Sequence, residues 1–333
     1  MSVQFYDFSP IIQAASQQGS RGHENDDSYD FFTVQHPGKR RSPIYVAAVA
    51  DGVTTSNGGA QASRIALDTL KSHLEAGPIR TETISEWLET AVHQANHEII
   101  FAASRTPELS TMSTTVVVAA IAGRKLYVMH MGDSRAYLMR SNAIFQLTED
   151  HTWAQEAMDA GTISLEEAKR HPGRNQLQRF LGTRSELHVD RGVIDPETKI
   201  HEEYLWVEPG DSILLSTDGV HGRLLAPEIR QIIFEHAGYP QDTVDELIRA
   251  ALDRGERDDI TALLIEIPPE RKSNTIRLSE DEITIPIAGD HSQTETDQPF
   301  LRRHGALIGV LAILLIAILL LVQTGNWRLL MGG

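Results

Sequence analysis

Short uninterrupted apolar runs recur through the first 267 positions. Residues 45–50 (YVAAVA) form one and predict a buried strand. Residues 114–121 and 126–131 are β-rich runs flanking Gly123-Arg124, which predicts a hairpin and therefore antiparallel pairing. Residues 136–139, 213–216 and 260–267 are strand-like as well. Between them the apolar spacing becomes helical. Ile84, Leu88, Ala91, Val92, Ala95 and Ile99 predict an amphipathic helix over 85–103. Residues 65–74 and 241–252 predict two more, and Ser164-Leu165-Glu166-Glu167 has the form of a capping box opening a short helix. Hairpins interleaved with long helices argue for an α+β fold rather than a doubly wound parallel sheet.

The pattern changes near the C-terminus. Residues 306–322 (ALIGVLAILLIAILLLV) carry no polar side chain. As a helix they extend about 26 Å, and a span over 304–323 crosses a hydrocarbon core of about 30 Å with its flanks. A buried core helix is the competing reading, but the run has no polar face. Arg302 and Arg303 precede it and Arg328 follows, so the positive-inside rule puts the N-terminal part in the cytosol. The expectation is a single-pass membrane protein with a cytoplasmic catalytic domain over 1–267 and the lipid bilayer as a partner. Residues 268–303, opened by Pro268-Pro269 and rich in Ser, Thr, Asp and Glu, read as a polar flexible linker, and 324–333 as a short tail. The first residues lack the basic start and apolar core of a signal peptide.

Composition narrows the chemistry. The 333 residues are 41% hydrophobic and 23% charged, as in globular chains. The absence of cysteine excludes disulfides, thiolate zinc sites, iron–sulfur clusters and a cysteine nucleophile. A formal net charge of −16 repels phosphate backbones, so no nucleic-acid partner is expected. Carboxylates remain as metal ligands, suited to Mg²⁺, Mn²⁺ or Ca²⁺.

Several of those carboxylates share one setting, an apolar strand followed by Asp and Gly. Asp51-Gly52 follows residues 45–50, and Asp218-Gly219 follows 213–216. Gly132-Asp133 is a close relative. A lone Asp-Gly is most often a turn. Three such places, together with Asn25-Asp26-Asp27 and Asp258-Asp259, point instead to an acidic cluster, which repels itself unless cations neutralise it.

These residues carry a resemblance. GSRGHENDDS (19–28), VADGVTTSNGGAQAS (49–63), MSTT (112–115), GDSRAYL (132–138), LTEDHTW (147–153), STDGV (216–220) and DDIT (258–261) occur in the order found in metal-dependent serine/threonine protein phosphatases of type 2C. The resemblance spans roughly residues 13 to 267 and implies a sandwich of two antiparallel β-sheets flanked by helices, with metals at one end. It implies two Mn²⁺ or Mg²⁺ ions and a third, weaker site. Asp51 would bridge two metals and the Gly52 carbonyl would bind one. Asp218 and Asp258 would hold the first metal. Asp26 and Asp27 would act on the site directly or through water, and Asp133 would hold the third metal with Asp218. The implied reaction is hydrolysis of phosphoserine and phosphothreonine by a water that two metals activate. Phosphorylated proteins are the implied partners, with a serine/threonine protein kinase among them.

The chain departs from the family pattern in places. The phosphate-binding Arg of the opening motif falls on Gly22, with Arg21 one position earlier; its guanidinium is long enough to serve. No histidine stands beside Asp51, so the leaving-group proton comes from metal-bound water or from another residue; His23 and His151 are candidates by loop position, against the plainer reading of surface or packing histidines. Asp259 stands where Asn is usual, which with Asp258 adds negative charge, and Asp26 stands where Glu or Gln is more usual. Residues 151–182 resemble the flap beside the active site, where His171-Pro172-Gly173-Arg174 offers a basic spot for a phosphopeptide or a simple turn. Two rival functions remain: a catalytically weak or inactive phosphoprotein-binding module on a membrane anchor, and a Ca²⁺-binding structural domain. The scattered carboxylates do not fit the 12-residue loop of an EF-hand.

Overall fold

The computed structural model describes residues 9–21, 24–35, 43–53, 57–77, 83–182 and 186–269. The predicted membrane span over 304–323, the linker from 270 onward, the tail and His23 lie outside the described residues. Among the described residues no helix is long and apolar enough to cross a membrane.

Two antiparallel sheets form the centre. The first has strand order β1-β13-β12-β6-β7, made of β1 (Ile11–Gln17), β6 (Arg135–Arg140), β7 (Ala143–Gln146), β12 (Ser212–Ser216) and β13 (Ile260–Glu266). The second runs β11-β5-β4-β3-β2, from β2 (Asp27–Gln35), β3 (Pro43–Asp51), β4 (Val116–Ala122), β5 (Lys125–Met131) and β11 (Leu205–Trp206), with β8 (Asp190–Arg191) also paired to β5. A small ribbon joins β9 (Val193–Ile194) to β10 (His201–Glu202).

Strand periodicity sorts side chains between layers. On β3, Ala47 and Val49 face the other sheet, where they pack with Val117, Leu138, Leu215 and Leu263. Their neighbours Val46, Ala48 and Ala50 face the opposite way. There they meet α1 (Gly59–Ala76) and α2 (Ile84–Arg105) through Leu70, Leu74, Trp87 and Leu88. The outer face of the first sheet uses Tyr137, Leu214 and Leu264 against α6 (Ala226–Glu235) and α7 (Pro240–Asp253). Strands β4 and β13 are covered on both faces, so every residue in them is buried and alternation vanishes from their sequence.

The predicted hairpin is β4–β5, and strands 45–50, 136–139, 213–216 and 260–267 match β3, β6, β12 and β13 within two residues. Helix 85–103 is α2, closed at its start by a Thr83–Glu86 capping box. Helix 65–74 begins earlier, at Gly59, because its first turns bury small residues (Ala60, Ala62, Ser63) that give no strong apolar signal. The capping box at Ser164 opens α4 (Leu165–Arg170), beside α3 (Trp153–Asp159). Strands β1 and β2 and helix α6 were not legible. Both strands lie at sheet edges and mix polar with apolar residues; β1 has no buried residue and β2 buries only Asp27 and Val34.

Candidate active site

The acidic positions converge because their strands end at one end of the sandwich. Asp51 closes β3 and lies opposite Asp27 of β2 in the strand register. Asp133 sits in the turn between β5 and β6, and Asp218 opens α5 (Asp218–His221) directly after β12. Asp258 stands just before β13. Asp51, Asp133, Asp218, Asp258 and Arg21 line one open cavity of about 650 Å³. Leu177 and Phe180 add an apolar wall beside the polar Asn175 and Gln176.

Glycine makes the junction beside Asp51 possible. A Cβ on Gly52 would lie 2.3 Å from the Gly59 carbonyl carbon, and one on Gly59 would lie 2.9 Å from that of Gly52. The end of β3 and the start of α1 therefore pack backbone to backbone. Asp51 is held through its main chain: its N–H donates to Thr115 Oγ1 (3.1 Å), and its carbonyl accepts from the Thr115 N–H and Thr114 Oγ1 (both 2.8 Å). The carboxylate is left to face the cavity.

Burial first, then mutual repulsion, raises these acids. Asp51 lies well above the usual carboxylate range because it is desolvated and faces Asp27, Asp218, Asp133 and Asp258. Asp133 is raised by burial and by Asp218. Burial with Asp258 and Glu256 pushes Asp218 up to about 6, although Arg21 and a hydrogen bond with Asp51 oppose the shift. Two carboxylates can share a hydrogen bond only when one of them holds a proton. Asp27 is raised by burial against hydrogen bonds from Thr261 and Thr217. Thr217 Oγ1 donates to Asp27 Oδ2 (2.9 Å), while Oδ1 is buried without a partner. Buried, mutually repelling acids with an orphaned oxygen fit a site for hard divalent cations.

Other residues of the expected set stand elsewhere. Asp26 does not line the cavity: its Oδ1 accepts the Ala60 N–H (2.9 Å) at the first turn of α1, where a carboxylate meets the helix dipole. Gly52 stands between Asp51 and Val53, which both line the cavity, and its N–H donates to the Asp26 carbonyl (3.1 Å). Arg21 reaches the cavity and pairs with Asp258 (Nη1 to Oδ2, 2.6 Å). That guanidinium opposes the effect of burial on Asp258, whose carboxyl is still raised.

Asp259 turns out to be structural. Its Oδ1 accepts the Gly19 N–H and its Oδ2 the Asp26 N–H, both at 2.7 Å. Two acceptors are needed here, so the amide donor of an Asn would have no use. His151 is corrected as a leaving-group acid. It is buried, lies outside the cavity wall, and has both ring nitrogens engaged, by the Gly132 N–H (3.0 Å) and by Asp190 (3.0 Å). His171 stacks on Trp153 with ring centroids 3.9 Å apart.

Residues that sequence reasoning passed over support the acids. Glu256 Oε1 accepts the Arg257 (2.6 Å) and Asp258 (3.0 Å) N–H groups and so shapes the loop that presents Asp258. Ser113 and Thr115 line the cavity. Their only sequence signal was the MSTT motif. Thr217 and Glu256 each lie within two residues of a motif acid, which was the one available clue.

A second cluster lies behind the Asp133 turn. One ligand atom each from His130, His151 and Asp190 lies within 4.8 Å of the others. The two rings sit 4.5 Å apart at 33°. Arg179 binds Asp190 through Nη1 to Oδ1 (2.6 Å) and Nη2 to Oδ2 (3.3 Å). Burial raises the Asp190 carboxyl, but the hydrogen bonds from His151 and Arg179 outweigh it and hold the group below the usual range.

The Protein phosphatase 2C family model matches residues 16–261. The chain is 31% identical over 253 residues to the serine/threonine phosphatase stp of Listeria innocua, covering 75% of this chain and 93% of that one. The crystal structure of the serine/threonine phosphatase Stp1 from Staphylococcus aureus superposes with a TM-score of 0.66 at 27% identity, over 78% of this chain and 95% of that one. The catalytic domain of the serine/threonine protein phosphatase PstP, solved with two manganese ions, gives 0.61 at 25% identity, over 78% and 98%. The chain belongs to the protein phosphatase 2C family of metal-dependent serine/threonine protein phosphatases.

Proposed function

We propose that the Asp51 cavity is the hydrolytic centre of a phosphatase that a C-terminal helix tethers to a membrane. The carrying observation is the convergence of buried, mutually repelling acids beside one guanidinium on an open cavity. Asp27, Asp51, Asp218 and Asp258, with the Gly52 carbonyl, would hold two Mn²⁺ or Mg²⁺ ions; Asp133 and Asp218 would hold a weaker third. When bound, such ions neutralise phosphoryl oxygens and activate water.

The chain's own residues do the rest. Arg21 stands at the mouth, 43% exposed on its side chain, with its fork available to a phosphate as well as to Asp258. Phe180 and Leu177 form the apolar side against which the substrate chain packs. Asp51 keeps its position through the main-chain bonds to Thr114 and Thr115, whatever the state of its carboxylate. The substrate class is phosphoserine and phosphothreonine in cytosolic proteins, membrane-bound serine/threonine kinases among them. The apolar run 306–322 between Arg302-Arg303 and Arg328 supports the tether and a cytoplasmic catalytic domain.

The test is Mn²⁺-dependent hydrolysis of p-nitrophenyl phosphate and a phosphothreonine peptide by the full chain. Wild type is expected to turn over, and Asp51→Ala to lose about 10³-fold or more. Equal rates would replace this reading with that of a phosphoprotein-binding module. A reporter fused after Gly333 is expected outside the cytosol; a cytosolic signal rejects the tether.

A further inference from the structure

The His130–His151–Asp190 cluster has the composition of a metal centre, but its protons argue otherwise. The Gly132 N–H donates to His151 Nδ1, so that nitrogen carries no proton. The ring proton is therefore on Nε2, facing Asp190 Oδ2. His130 Nε2 likewise donates to the Glu149 carbonyl (2.7 Å), which leaves its buried Nδ1 as a lone pair without a partner. A cation on His151 would have to displace either the Gly132 N–H or the Nε2 proton. The charge of Asp190 is already met by the Arg179 fork.

The same bonds join two walls of the cavity. Gly132 has φ +108°, and a Cβ there would lie 2.5 Å from the Thr115 side chain, so the turn that presents Asp133 tolerates only glycine. His151 grips this turn twice: its ring accepts the Gly132 N–H, and its own N–H donates to the Gly132 carbonyl (3.0 Å). On its other side, the His151 carbonyl accepts the Gln178 N–H (2.9 Å), and Asp190 links the ring to Arg179. Gln178 and Arg179 belong to the segment that brings Leu177 and Phe180 to the cavity. That segment is fastened further on by paired bonds between Thr114 and Leu181 (3.1 and 2.8 Å).

We propose that His151 is a positioning residue that fixes the Asp133 carboxylate relative to the Leu177–Phe180 wall through the chain Arg179–Asp190–His151–Gly132. The weakest-held cation, at Asp133, is then tied to the wall on which the substrate packs. The inference rests on the reading of the acidic cavity as a cation site.

Mn²⁺ binding to the full chain, followed by calorimetry with melting temperature as a fold check, tests it. His151→Leu removes both ring bonds. His151→Asn keeps an acceptor near the Nδ1 position and loses the reach to Asp190. In His151→Leu the weakest Mn²⁺ step is expected to weaken about tenfold, as for other outer-sphere partners of metal ligands. The tighter steps are expected to change by less than about twofold, and kcat at saturating Mn²⁺ to fall less than the affinity does. His151→Asn, which keeps the Gly132 bond and loses the Asp190 bond, is expected to bind more tightly than His151→Leu and more weakly than wild type. Wild-type binding at every step in His151→Leu overturns the proposal, as does His151→Asn binding no better than His151→Leu. Loss of one whole equivalent of Mn²⁺ in both variants also overturns it, by making the cluster a metal centre. Should His151→Leu not melt cooperatively, Asp190→Asn carries the test: a weakening of the same step by about three- to tenfold supports the proposal, and no change overturns it. Asp51→Ala separates this from the parent reading, because unchanged Mn²⁺ binding there fails the cavity itself, whatever His151 does.

Discussion

Two clusters of ligand-type residues stand on either side of the Gly132-Asp133 turn, and they differ in one respect. The His130–His151–Asp190 group is the more tightly drawn, yet its charges and ring protons are matched internally and only the buried His130 Nδ1 lone pair lacks a partner. Arg179 meets Asp190, the Gly132 N–H meets His151, and burial together with its neighbour His151 pushes His130 down to about 4, so the ring is neutral at physiological pH. The acidic cavity is looser and unmatched: Asp51, Asp133 and Asp218 are raised by burial and by one another, with Arg21 as the cation on its wall. Unmet charge, more than the proximity of ligand atoms, marks a place that needs ions.

Removing an acid from each side separates the two most strongly. Asp218→Asn is expected to lower Mn²⁺-dependent turnover by about 10³-fold, or about 4 kcal/mol of transition-state stabilisation. The melting temperature of the metal-free chain is expected to hold or rise, because a repulsion has gone. A large fall in that melting temperature would show that the cavity is structural.

The pH dependence is the next lever. Asp218 rises from an ordinary 3.8 to about 6, so between those values the folded chain binds more protons than the unfolded one. Stability is fully present below about 4 and declines as pH climbs through about 6. The metal-free chain should therefore lose stability on the order of 1–3 kcal/mol over that window, and Mn²⁺ should remove the decline. Urea denaturation at stepped pH reads this directly, and a flat profile without metal would contradict it.

The smallest effect concerns Asp259. Asp259→Asn replaces one of two acceptors with a donor aimed at a backbone N–H, and about 1–2 kcal/mol of stability should go. A change in Mn²⁺ affinity with stability intact would instead assign Asp259 to the metal site.

The balance of legible and hidden features follows from what a sequence encodes locally. Strands β3, β4, β5, β12 and β13 stood out because continuous burial writes a continuous apolar run. The Asp-Gly pattern located Asp51 and Asp218 because a strand end followed by glycine is a local signal. Asp26 and Asp27 are adjacent, and only the fold separates them: one caps α1 while the other turns toward Thr217 and the acids. The role of His151 was hidden for the same reason, since Asp190 reaches it from β8 and Gly132 from the β5–β6 turn, 39 and 19 positions away in the sequence. Edge strands β1 and β2 escaped because half-exposed positions carry mixed residues.

The most direct test is a Mn²⁺-soaked crystal of the full chain, with the ions located by anomalous scattering. Peaks among Asp51, Asp218 and Asp258 with none between His130, His151 and Asp190 are expected. A peak at the histidines and an empty acidic cavity would contradict the account.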